Sequence, residues 1–135
     1  MTFALAPRIL ADTAAIASLG LSELRLMDDA RFPWLMLVPR KAGAEEIIDL
    51  DAAERAALTE EIALVSGALR AVTGCDKLNV GALGNIVRQL HIHVVARFER
   101  DAAWPGPVWG AGQAIAYEAA ERDRFVQKLR QTLPA

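Results

Sequence analysis

The chain has little of what marks secreted, membrane-spanning or polynucleotide-binding proteins. Its 135 residues include a single cysteine, Cys75, so no internal disulfide can form and a reducing, cytoplasmic location is expected. Cys75 reads as a small core residue rather than a catalytic thiol. No run of about 18 apolar residues occurs, so no transmembrane helix and no membrane partner are expected. Ahead of the first, broken apolar segment only Arg8 is cationic, which makes a poor signal peptide. Lys and Arg number 15 against 17 Asp and Glu, for a net charge of −2. That balance offers no basic footprint for a long nucleic acid, so an anionic ligand must be small and held by local donors. Repeats and low-complexity linkers are lacking too. Histidine is scarce, with two in the chain.

Both histidines fall in one stretch, Arg88-Gln89-Leu90-His91-Ile92-His93-Val94-Val95-Ala96-Arg97. It alternates polar and apolar, the period of a half-buried strand. Read as a strand over Gln89–Arg97, it puts Leu90, Ile92, Val94 and Ala96 on a core face. Gln89, His91 and His93 then line the other face, roughly 7 Å apart at a rise of about 3.3 Å per residue.

The rest of the chain reads as an α+β domain with an antiparallel sheet, spanning residues 1–135 with a core at about 20–100 and a tryptophan loop and helix over 101–135. A short extended segment near Arg8–Ala11 leads into a loop to Gly20. Ser22–Met27 and Trp34–Val38 read as paired strands, the second bounded by Pro33 and Pro39. Trp34 is expected in the core. Asp51 offers an N-cap with Glu54 as its capping-box partner. Leu58, Ile62, Val65, Leu69 and Val72 form one stripe of a long helix that Gly74 ends, and Glu54, Glu60, Glu61 and Arg70 are expected on its solvated face. Leu78–Val80 starts a further strand, followed by a small-residue loop, Gly81–Asn85. Trp104–Gly110 is too rich in Pro and Gly for regular structure. Glu118–Leu133 reads as a terminal helix with Phe125, Val126, Leu129 and Leu133 inward and a Glu118–Arg122 pair outward.

Three kinds of chemistry suit the histidine row. A neutral imidazole whose N–H is held by an acceptor presents its other nitrogen as a nucleophile. Attack on phosphorus also needs donors for the non-bridging oxygens. Gln89, His93, the Asn85 amide, backbone N–H groups of the glycine loop and Asn79 are candidates for that task. Alternatively, two histidines at i and i+2 can ligate zinc, although a third ligand is not evident and no metal is expected. The histidines can also simply decorate a sheet face. Trp104 and Trp109 follow closely, either as a lid or stacking wall over a base or as packing.

The segment Gly84-Asn85-Ile86-Val87-Arg88-Gln89-Leu90-His91-Ile92-His93-Val94-Val95 resembles the histidine-triad (HIT) family signature, His-φ-His-φ-His-φ-φ, with a preceding Gly-Gln/Asn step. Leu35-Met36-Leu37-Val38-Pro39-Arg40 resembles the family's Val-Leu-Val-Ile-Pro-Lys strand, and the capped helix and the strand with Asn79 follow in the family's order. The resemblance implies a HIT-like sheet of about five strands with one long helix, and a homodimer, which the apolar content permits. It implies a nucleotidyl hydrolase or transferase acting on nucleotide conjugates such as dinucleoside polyphosphates or nucleoside phosphoramidates, with no cofactor needed for the chemistry. His91 matches the nucleophile, and His93, Gly84, Asn85 and Asn79 match phosphate- or leaving-group-binding positions. The chain departs from the pattern where Gln89 replaces the first histidine and Ile86 stands at a position often Ser or Thr. Its loop after Asn79 is also one residue shorter. Glutamine cannot carry a proton at neutral pH, which favours a second reading, a nucleotide-binding or sensor protein with little turnover.

Overall fold

The computed structural model describes residues 2–134. Its elements are α1 (Pro7–Asp12), β1 (Thr13–Ser18), β2 (Ser22–Met27), β3 (Trp34–Pro39), a 3-10 turn at Ile47–Asp49, α2 (Ala52–Thr73), β4 (Lys77–Gly81), β5 (Ile92–Arg97) and α3 (Ala119–Thr132). The strands form one sheet in the order β1-β2-β3-β5-β4, every neighbouring pair antiparallel. This is the expected α+β architecture. No helix among the described residues is long and apolar enough to cross a membrane.

α2 forms as its sequence signals require. The Asp51 carboxylate accepts from Glu54 N while the Glu54 carboxylate accepts from Asp51 N, closing the capping box. Gly74 ends the helix in the left-handed conformation, at φ 65°. Its stripe packs on one face of the sheet with Leu24, Leu26, Leu35, Leu37, Ile92, Val94 and Ala96, and α3 adds Val126 and Leu129. That is the core. Strand alternation sends Trp34, Met36, Val38, His93 and Val95 to the opposite face. β3 is buried throughout because both of its faces are covered.

Several expectations are corrected. Pro7–Asp12 is a helix rather than extended, with proline at the start, where its missing N–H removes nothing, and with Ile9 buried against Met36 and Val38. Thr13–Ser18 is an edge strand held by β2 rather than a loop. Glu61 is buried at 7 % exposure because its carboxylate accepts from Leu21 N in the β1–β2 turn. Arg122 pairs with Asp123, while its backbone N–H bonds Glu118 O. The histidine strand begins at Ile92, three residues later than the alternation predicts. Leu90 N instead bonds Ala44 O, so Gln89 and His91 lie in the approach to the strand.

Candidate active site

The sheet face opposite the helices carries a cavity of about 440 Å³. β3 and β5 form its floor with Trp34, Met36 and His93, and the approach to β5 adds His91. Leu83–Val87 make one side, Trp109 and Gly110 another, and Arg8, Ile9 and Asp12 of α1 a third.

The two imidazoles sit edge to face, with ring centroids 4.9 Å apart. Each has one nitrogen committed. His91 Nδ1 lies 2.7 Å from the backbone oxygen of Gln89. A carbonyl only accepts, so Nδ1 carries the proton and Nε2 of the neutral ring keeps its lone pair. His93 is set the opposite way. Trp34 Nε1 donates to His93 Nδ1 at 2.8 Å, and because an indole N–H only donates, the neutral His93 ring carries its proton on Nε2. One ring thus offers a nucleophilic nitrogen and its neighbour an N–H donor. Trp109 closes on the pair, 5.4 Å from His93 and 6.3 Å from Trp34 between ring centroids.

Burial, with a smaller contribution from the neighbouring His91, pushes the His93 pKa down to about 4. His93 is 4 % exposed, so a proton gained there loses water's solvation. An unfolded histidine protonates near pH 6.5. The sign follows: above about 6.5 both states are neutral and stability is full, and as pH falls towards 4 the unfolded chain takes up a proton the native one refuses. The loss approaches about 3 kcal/mol at 1.36 kcal/mol per pKa unit. Urea titrations at pH 7, 6, 5 and 4 are expected to show this decline, and His93→Gln to flatten it. Parallel pH profiles for the two proteins would contradict the assignment.

Of the residues expected at the site, His91, His93, Gly84, Asn85 and Trp109 are brought together in the cavity wall. Gln89, Asn79 and Trp104 do not line it. The Gln89 side chain turns away to residues 4–6: its Oε1 accepts from Ala6 N at 2.8 Å and its Nε2 donates to Ala4 O at 2.7 Å. Asn79 Oδ1 accepts from the Arg97 guanidinium at 2.7 Å. Trp104 lies over that same guanidinium, 5.7 Å from it. Arg97 is 1 % exposed, forks onto Asp101 at 2.7 and 3.0 Å, and donates to Gly106 O at 2.7 Å. The hydrogen bonds from Arg97 hold the Asp101 carboxyl down at about 2 against the opposing effect of burial. This network staples the tryptophan loop to β4 and β5.

Trp34 is buried as expected but is also part of the site, which the sequence reading missed. The signal was present, since alternation along β3 separates Trp34 from the core residues Leu35 and Leu37. Arg8 and Asp12 carried no local signal. Among the described residues no group of three His, Cys, Asp or Glu side chains is gathered as a metal ion requires.

A family model for the HIT domain matches residues 10–100. The structure superposes on a histidine triad protein from Bradyrhizobium japonicum with a TM-score of 0.97 and 48 % identity, covering 99 % of this chain and 100 % of that one. A histidine triad protein from Sinorhizobium meliloti 1021 gives 0.96 and 48 %, covering 98 % of each chain. One from Marinobacter aquaeolei VT8 gives 0.96 and 38 %, covering 98 % of this chain and 97 % of that one. No curated protein matches significantly. An antiparallel sheet with a histidine pair at the head of its fourth strand in order defines the class, and the chain belongs to the HIT domain family.

Proposed function

We propose that this protein cleaves phosphoanhydride or phosphoramidate bonds in nucleotide conjugates, of the dinucleoside polyphosphate or nucleoside phosphoramidate kind, through a nucleotidyl-histidine at His91. The observation that carries the reading is the opposite setting of the two rings, His91 Nδ1 held by Gln89 O and His93 Nδ1 by Trp34. In the first step the His91 Nε2 lone pair forms an N–P bond to the α-phosphorus. The P–O or P–N bond to the leaving group breaks, and the leaving group departs with the electron pair and takes a proton from solvent. In the second step water attacks phosphorus, the N–P bond breaks, and a nucleoside monophosphate and a proton are released. The His93 Nε2–H, the Asn85 amide and the Gly84 backbone N–H are assigned to the non-bridging oxygens, where donors are worth most as charge develops. Trp109, with the apolar wall of Ile9 and Met36, is assigned to the base. Strand β4 at the sheet edge, with exposed Val80, and the exposed Leu83 and Ile86 in the loop that follows it, support a homodimer.

A second reading, nucleotide binding with little turnover, is favoured by the cavity lining, which contains no Ser, Thr or Tyr hydroxyl among the described residues to protonate a leaving group. Mass spectrometry separates the two after quenching without acid from adenosine phosphoramidate or a diadenosine polyphosphate. A nucleoside-monophosphate adduct on His91 is expected. AMP binding with neither adduct nor product would replace the hydrolase by the binding protein.

A further inference from the structure

Gln89 stands where the family signature has a histidine, yet its side chain makes no part of the cavity wall. Both ends of its amide are spent on residues 4–6. The C=O and N–H two residues apart along an extended chain face the same edge, and a primary amide presents an adjacent acceptor and donor that match them, as a neighbouring strand would. The clamped segment leads directly into α1. Phe3 and Leu5 pack beside Ile9 on Met36 and Val38, Ala6 O accepts from Leu10 N, and α1 turns Arg8, Ile9 and Asp12 into the cavity. Arg8 is the only lysine or arginine in that wall among the described residues, and it is paired with Asp12 across one helical turn.

We propose that Gln89 is a positioning residue that acts through the N-terminal segment: its amide anchors residues 4–6 and so builds the α1 wall of the nucleotide cavity, setting substrate affinity rather than the chemical step. The inference rests on the nucleotide reading of that cavity. It also explains why glutamine suits this position. A neutral histidine carries one donor and one acceptor on separate ring edges, so it can hold Ala4 O or Ala6 N but not both. The nucleophile is not disturbed by this arrangement, because His91 is oriented by the backbone oxygen of residue 89, which any side chain leaves in place.

The test is a double-mutant cycle between the amide and the segment it holds. Ala6 has φ −56° and ψ 140°, angles that proline adopts, so Ala6→Pro suits the local backbone while it removes the N–H and puts its ring where the Gln89 Oε1 would dock. Gln89→Ala, Gln89→His, Ala6→Pro and the Ala6→Pro/Gln89→Ala pair are compared by AMP calorimetry, by kcat and KM with adenosine phosphoramidate, and by hydrogen exchange at the Leu10 amide. Each single variant is expected to raise the AMP Kd and the KM about tenfold while kcat stays within about threefold. The Leu10 amide is expected to lose protection while β5 amides keep theirs, and the pair is expected to be no worse than either single variant. A full Gln89→Ala penalty persisting in the Ala6→Pro background would overturn the proposal, showing that Gln89 meets the substrate directly. So would a fall in kcat at unchanged KM, or unchanged Leu10 protection. If the parent protein neither binds AMP nor turns over, the nucleotide reading falls and the affinity claim with it, whereas Leu10 exchange in the same variants still judges the anchoring.

Discussion

Replacing His91 with alanine or asparagine is expected to abolish adenosine phosphoramidate turnover, by roughly a thousandfold or more, as loss of a nucleophile that acts with its partners as a unit does. The folded state is expected to survive. His91 precedes β5 and is not one of the residues bridging sheet and helices, and its one side-chain hydrogen bond among the described residues is to the carbonyl two residues back. Asparagine keeps a donor for that carbonyl but offers no imidazole nitrogen to phosphorus. Burst kinetics and the His91 adduct should vanish together, while the thermal transition moves by only a few degrees, the scale of about 1 kcal/mol in a domain of this size. Parental kcat/KM in either variant would remove the covalent mechanism. A fall in activity matched by loss of the cooperative transition would reassign His91 to folding.

Arg97→Ala is the substitution with the largest expected effect on stability, about 3–5 kcal/mol, because it removes one member of a buried ion pair and leaves the other without a partner. Asp101 would keep its backbone donors from Phe98, Ala103 and Trp104 but lose the guanidinium that holds its carboxyl at about 2. Asn79 Oδ1 and Gly106 O would lose their donor too, and Phe32 and Trp104 the cation between them. Arg97→Lys is expected to recover little, since one ammonium cannot reproduce the fork on Asp101 and still reach β4 and the loop. Urea unfolding followed by tryptophan fluorescence measures both variants. A loss below about 1 kcal/mol for Arg97→Ala would mean that water replaces the guanidinium and that the pair is in effect a surface one. Because the network ends on the loop that carries Trp109, the destabilised variant is also expected to bind AMP more weakly.

The elements legible in the sequence are those whose cause is local. Asp51, Glu54 and Gly74 bound α2 because caps and a left-handed terminus act within a few residues. β2 and β3 could be read because alternation and flanking prolines are local marks. The His91–His93 spacing pointed to the site because their separation along the chain keeps them adjacent in any extended conformation.

What was not legible depends on partners far along the chain. α1 is too short to show a helical period, and Ile9 is buried only because Met36 and Val38 lie beneath it. The start of β5 follows from Ala44 taking the Leu90 N–H, which no alternation can foretell. Trp104 and Trp109 have the same local surroundings, yet Arg97 takes the first and the cavity the second.

By itself, then, the sequence determined the α+β class, the long capped helix and the family of the histidine segment, because periodicity, caps and short spacings survive without tertiary contacts. Only the tertiary structure decided that Trp34 fixes the His93 tautomer, that Arg97 claims Asn79, and that Gln89 faces residues 4–6 instead of the cavity. Those outcomes are settled by which donor meets which acceptor across 18 to 85 residues of chain, and a buried polar group takes the partner that the completed fold brings within reach.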